Sequence, residues 1–244
     1  MHFLRSLAAL VIGSATVLLI VTSAPTDAST ALSPGSSLMK ATLSAIAHER
    51  SVHVVDTTKI KNASGKQVTV TIATDAAATL GIQHITYELA GRVGDETVED
   101  VKGVGYLRGD AFILQNYNEF PKSAANKYSM KWISVTKANS GFSALTAGVL
   151  MSTIPAEIEM PSPKLLAGIQ KVAGIMVRVL HTTVTEGSSS TTGTLFVRTS
   201  GAPLPVEQQF THTGGGKVIV NYSRWNEPVH LTAPDSSVPL SSLE

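Results

Sequence analysis

From Ser51 onward the hydrophobic positions of the chain recur with a period of two. In QVTVTIAT, Val68, Val70 and Ile72 point one way while Thr69 and Thr71 point the other. The same alternation returns in ITYELA, with Ile85, Tyr87 and Leu89, and in KVIVNYS, with Val218, Val220 and Tyr222. Turn-forming residues separate these runs at 62–65, 91–95, 108–110, 187–193, 201–203 and 213–216. The pattern predicts about ten strands joined mostly by hairpins, which makes an antiparallel sheet. A sheet of that length must curl or close to bury one face, so a barrel or half-barrel of the mainly β, α+β class is expected.

Two segments break the period. Ser33-Pro34 predicts the start of a helix whose apolar or small residues Leu38, Ala41, Thr42, Ala45 and Ile46 share a face. In GFSALTAGVLMSTIP, the residues Phe142, Leu145, Val149, Leu150 and Ile154 fall near helical spacing, and Pro155 is expected to end the helix. No charged residue occurs from Gly141 to Ala156, so this element is expected to be buried or to meet lipid. It is read as a lid over a cavity, with Phe142, Leu145, Val149 and Leu150 facing a ligand. A plain core helix would show the same periodicity.

The amino terminus changes the picture by setting the compartment. MHFLR puts Arg5 ahead of the uncharged apolar residues 7–21, and Thr26-Asp27-Ala28 offers a cleavage site, the layout of a signal peptide. The alternative is retention as a marginal membrane anchor. There is no cysteine, so neither disulfides nor a lipid-modified cysteine are available. Cleavage after Ala28 removes Arg5 and Asp27 and leaves 216 of the 244 residues, with 18 basic and 17 acidic side chains. Cations are spread singly among acids rather than gathered in a basic stripe, which argues against nucleic acid as a partner. The expected organisation is a signal segment at 1–28, a spacer at 29–36, one domain at 37–235 and a tail at 236–244.

The usual catalytic patterns are missing. No serine has the glycine flanks of a hydrolase elbow, and no two histidines stand four apart with a glutamate for zinc. Gly103-Val104-Gly105 and Gly214-Gly215-Gly216-Lys217 run on into strands and are read as turn or strand glycines. Asp95, Glu96, Glu99 and Asp100 match no calcium loop and are read as a solvated face. Glu157 and Glu159 are read as an exposed strand face. The expectation is therefore a non-enzyme without metal or cofactor.

The succession SVHVV, VGYLRGDAF, KYSMKWISV, VRTSGAPLPVEQQF and VNYSRWNEPVHLTAP, spanning about residues 37–234, resembles the actinobacterial relatives of the LolA and LppX/LprG envelope carriers. The resemblance implies a strongly curved antiparallel half-barrel whose concave face is covered by helices around an apolar cavity for acyl chains. It implies an exported monomer that binds or carries a lipid or other apolar ligand in the cell envelope. A module that docks on an envelope membrane protein is the alternative. The residues expected to face the cavity or core are Val68, Val70, Ile72, Tyr87, Leu89, Val218 and Val220, with Phe142, Leu145, Val149 and Leu150 from the lid. An ordinary filled core is the plainer reading of the same alternation.

Overall fold

The computed structural model describes residues 32–62 and 64–243; the expected signal segment lies outside them. The predicted first helix is α1 (Pro34–Ile46), which starts where Ser33 Oγ accepts a hydrogen bond from the Ser36 amide at 3.1 Å. Its buried side carries Met39, Thr42 and Ile46; Ala41, expected on that face, is exposed. A Cβ at Gly35 would lie 2.0 Å from the Pro163 carbonyl oxygen, so the helix approaches the later chain as closely as main chain allows.

Five strands follow as consecutive hairpins: β1 (Ser51–Lys61), β2 (Gln67–Ala77), β3 (Leu80–Leu89), β4 (Arg92–Val101) and β5 (Val104–Gly109). At the end of β5, Asp110 caps α2 (Ala111–Asn116). One carboxylate oxygen accepts from the amides of Phe112 and Ile113, and the other from the Asp95 amide at 2.8 Å. Then come α3 (Lys122–Tyr128) and the short β6 (Ile133–Val135), which pairs with β5.

The charge-free segment does not form one helix. It gives α4 (Phe142–Leu145), a run of turns, and α5 (Ile154–Ile158). Gly148 takes a left-handed conformation with φ +71°, which ends the helical spacing. Pro155 opens α5 instead of ending a helix, because the first helical turn needs no amide hydrogen there.

The second half of the sheet consists of β7 (Lys164–Leu165), β8 (Gln170–Val172), β9 (Ile175–Glu186), β10 (Ser189–Arg198), β11 (Pro205–His212) and β12 (Lys217–Ser223). The Gly187 loop predicted from GSSSTTG shrinks to two residues, since Ser189 already pairs with Glu186. β13 (Val238–Pro239) then pairs parallel to β6 and leads into the 3-10 turn Leu240–Leu243.

The sheet order is β13-β6-β5-β4-β3-β2-β1-β12-β11-β10-β9-β7, with β8 also on β9. The first and last strands of this path are not paired with each other, so the sheet is an open, curved half-barrel. It has thirteen strands among the described residues where about ten were expected; the surplus comes from segments of two or three residues, too short to show alternation. The two meanders join where β1 meets β12, with Val54 opposite Tyr222 and Asp56 opposite Val220. Past β12, Arg50 N donates to Asn226 Oδ1 at 2.8 Å and Asn226 N to the Ser51 carbonyl at 3.0 Å, which ties the WNEPV segment to the start of β1.

Buried side chains gather in two main clusters. One joins Val68, Val70, Ile85, Tyr87 and Val98 to α2, α3 and the lid residues Leu145 and Val149. The other joins Val52, Val54, Val218, Val220 and Tyr222 to α1 and α5. A smaller cluster, Val177, Val179, Phe196 and Val206, lies at the far end of the sheet.

Candidate functional site

A cavity of about 120 Å³ opens at the seam between the two main clusters. Val54, Ile72, Ile85, Val98, Phe210 and Val220 form its apolar wall from the sheet side, and Leu145, Ala144 and Ile154 close it from the lid. The lid is held at three points. Gln83 Nε2 donates to the Ala147 carbonyl at 3.3 Å, Met151 N donates to the Ala77 carbonyl at 3.1 Å, and the Val149 carbonyl sits where a Cβ on Gly81 would come within 1.9 Å of it. Only a residue without a side chain at position 81 permits that seat.

Of the residues expected to face a ligand, Ile72, Leu145 and Val220 line this cavity. Val68, Val70, Tyr87, Val149 and Val218 are buried in the clusters on either side, Leu89 and Phe142 are half-buried against the first of them, and Leu150 is half-buried in the turns.

The lining also contains polar groups that were not expected at a cavity. Asp56, Thr74, Gln83, Glu96, Tyr117, Glu157, Gln208 and Tyr222 all reach the cavity. Their signal was present as phase: Asp56 follows Val52 and Val54 at the inward positions of β1, Glu96 precedes Val98 on β4, and Gln208 stands between Val206 and Phe210 on β11. A polar residue in step with buried apolar ones shares their face. The supposed solvated acidic face is thus corrected, because only Asp95 is exposed while Glu96, Glu99 and Asp100 are buried. The exposed-strand reading of Glu157 and Glu159 is corrected too. Glu157 lies on α5, with its carboxylate turned toward the cavity beside Gly148, and only Glu159, just past the helix, is exposed.

The electrostatics follow from enclosure. Burial pushes the Glu96 carboxyl up to about 8, against the lowering effect of a hydrogen bond from Asn118 Nδ2 and with a further rise from Asp110. Burial raises Glu157 to about 7, with Asp56 adding to the rise. Burial likewise raises Asp56 to about 6, opposed by the Thr58 hydroxyl that donates to it at 3.1 Å. Tyr117 and Tyr222 are held well above the usual phenol range, first by burial and then by these acids. Glu157 remains partly accessible because the space it borders is the cavity, and its elevated value fits that enclosed, poorly hydrated setting. Deeper in the core, Tyr222 OH donates to Gln208 Oε1 at 3.0 Å and Gln208 Nε2 donates to the Ile158 carbonyl at 3.4 Å, linking β12, β11 and α5.

Among the described residues no three histidine, cysteine or acidic side chains converge to hold a metal ion. No helix among the described residues is long and apolar enough to cross a membrane. What the arrangement offers is an apolar recess with carboxyl and phenol groups at its wall.

No protein-family model matches the chain, and no curated protein matches it. Solved structures do. LprF from Mycobacterium bovis superposes with a TM-score of 0.51 at 15% identity, over 81% of this chain and 95% of LprF. The lipoprotein LppX from Mycobacterium tuberculosis gives 0.49 at 17% identity, over 80% and 97%. A LolA superfamily protein from Nitrosomonas europaea gives 0.30 at 12% identity, over 82% and 96%. The chain shares its fold with LprF.

Proposed function

Starting from this LprF-like half-barrel, we propose that the protein is an exported, non-enzymatic binder or carrier of a lipid or other apolar ligand in the cell envelope. The observation that carries the reading is the recess between the concave sheet and the α4–α5 lid, walled by Val54, Ile72, Ile85, Leu145 and Val220. Ligand pockets are concave and mostly apolar with a few polar groups that fix orientation, and this recess has that make-up. Its volume of about 120 Å³ is close to that of an apolar cavity that takes benzene, roughly 150 Å³. A longer chain enters only if the lid moves. The lid suits that role, being two short helices and turns, with left-handed Gly148 between them.

Native mass spectrometry of protein purified from its own host tests the reading. The expected result is the mass of residues 29–244, with extractable lipid, and loss of that lipid in the Leu145→Trp variant, whose indole fills the recess. Protein that emerges empty from its host, with Leu145→Trp unchanged in every respect, overturns it.

One observation favours a second reading, docking on an envelope partner. Leu166, Ile169, Ile175 and Met176 are exposed on and around the β8–β9 hairpin, and the segment 164–178 contains Lys164, Lys171 and Arg178 but no acid. Contiguous exposed apolar side chains of this kind mark interaction surfaces.

A further inference from the structure

We propose that the β8–β9 hairpin and the loop before it dock on a bilayer containing anionic lipid, with the hairpin tip in the head-group layer and its cations against acidic head groups. This names the occupant of the exposed patch, so it rests on the docking reading and is independent of the recess. Seven large apolar side chains are exposed among the described residues, and four of them, Leu166, Ile169, Ile175 and Met176, lie in this one stretch at 40% to 54% exposure. Such clustering differs from the single exposed apolar residues normal at a protein surface. Leu166 and Ile169 also border a shallow open depression together with Arg178, which joins the loop to the hairpin as one surface.

The shape of the hairpin favours lipid over a protein face. Val172 pairs with Ile175 and Lys171 with Met176 around a tight turn in which Ala173 and Gly174 both have positive φ, +47° and +84°. β10 pairs with β9 only as far as Arg198 opposite Val177, so Ile175 and Met176 lie past its last paired residue, tied to it by Thr199 N donating to the Met176 carbonyl at 3.0 Å. Alternation turns Ile175 to the side of buried Val177, and Met176 to the opposite side with Lys171 and Arg178. The tip is therefore apolar on both faces. A flat partner covers one face of such a ribbon, whereas a bilayer closes around both. Arg178 stands two residues behind Met176, roughly 7 Å at the rise of a strand, which places its charge at the head groups when the tip is buried by ~5–10 Å.

The charge of the patch selects the lipid. Lys164, Lys171 and Arg178 are exposed in it, and none of them forms an ion pair among the described residues. From Met160 to Val206 the sole acid is Glu186, at the opposite end of β9 where it pairs with Ser189. The whole chain balances 19 basic against 18 acidic side chains, so the excess of cations is a property of this stretch and not of the protein. Each lysine or arginine close to an anionic membrane strengthens binding about fivefold, and apolar side chains interleaved with such cations are the make-up of segments that lie in a membrane surface. A second copy meeting this patch through a two-fold axis would set the same cations against one another.

Because the chain has no cysteine, Met176→Cys and Ser188→Cys each create a single labelling site, at exposed positions toward opposite ends of β9. The protein produced in its own host, carrying an environment-sensitive fluorophore at one site or the other, is titrated with vesicles of phosphatidylcholine alone and with phosphatidylglycerol added. The label at 176 is expected to shift to the blue and the label at 188 to stay unchanged. Binding should be at least about tenfold tighter to the phosphatidylglycerol vesicles and weaken at high salt. Combining Lys164→Gln, Lys171→Gln and Arg178→Gln should reduce the lipid preference to about twofold or less, and Ile169→Ser with Ile175→Ser should remove the blue shift. Any binding through the apolar residues 7–21 would be unaffected by these hairpin substitutions. An equal response at both labels, equal affinity for the two vesicles, or no vesicle binding overturns the inference. Without vesicle binding, a dimer in sedimentation equilibrium that Ile169→Ser with Ile175→Ser dissociates, or a photo-crosslink from position 176 to one membrane protein in the host, keeps the docking reading with a protein as occupant; absence of both overturns that reading too.

Discussion

Gln208 shows how a single polar side chain serves this core. It is 1% exposed and has both ends occupied, receiving Tyr222 OH and donating to the Ile158 carbonyl, so it fastens α5 to the floor of the cavity. Truncating one partner leaves the other buried and unsatisfied, which costs about 1–3 kcal/mol. Tyr222→Phe is therefore expected to lower the unfolding free energy by that amount in urea titration, with the slope of the transition unchanged. A Tyr222→Phe protein as stable as the parent would mean that water replaces the phenol at Gln208. The sequence carried a trace of this pairing, because Tyr222 and Gln208 each stand in phase with inward apolar residues of their strands. It carried nothing of the partner: 14 residues and a strand register separate the two, and only the β11–β12 pairing brings them across.

At the scale of the element, the lid is the least regular part of the site and the most closely seated. Its main chain rests on Gly81 of β3, where an added methyl group would collide with the backbone oxygen of Val149 rather than with a side chain able to rotate away. Gly81→Ala must therefore displace the lid or the strand. Strand β3 is hydrogen-bonded on both sides, to β2 and β4, whereas the lid is held by few bonds, so the lid should move. The expected outcome is local: amide exchange at residues 147–151 speeds up about tenfold or more, equivalent to roughly 1.4 kcal/mol of easier opening, while protection along β1 and β12 is retained. Uniform loss of protection across the sheet would show instead that lid and sheet open as one unit. The charge-free composition of 141–156 foretold a covered element correctly, but not its interruption. Periodicity records which residues are apolar, and it does not register the surroundings of Gly148, where Glu157 Oε1 and Gln83 Nε2 stand 3.1 and 3.2 Å from where its Cβ would be.

For the whole molecule, the buried acids couple stability to pH. An unfolded aspartate or glutamate releases its proton near the ordinary 3.8 or 4.5, whereas Asp56, Glu157 and Glu96 hold theirs to about 6, 7 and 8 in the folded chain. Between those limits the folded state binds more protons than the unfolded state, so stability falls as pH rises. Their contribution is complete below about pH 4 and is lost by about pH 8. The melting temperature is expected to be lower at about pH 8 than at about pH 5 by 5 °C or more, given roughly 2–4 °C per kcal/mol for a chain of this size. Glu96→Gln should flatten the upper part of that slope. A melting temperature that rises steadily from about pH 5 to about pH 8 would contradict the burial of these groups. The sequence by itself determined the long strands, many of their turns, the start of α1 at Ser33-Pro34 and the antiparallel hairpin pairing, because alternation, turn chemistry and capping are properties of neighbouring residues. Only the tertiary structure decided that Asp56, Glu96 and Glu157 face one recess. They lie on β1, β4 and α5, and what unites them is the curvature of the sheet and the seat of the lid, which depend on register and packing between segments far apart along the chain.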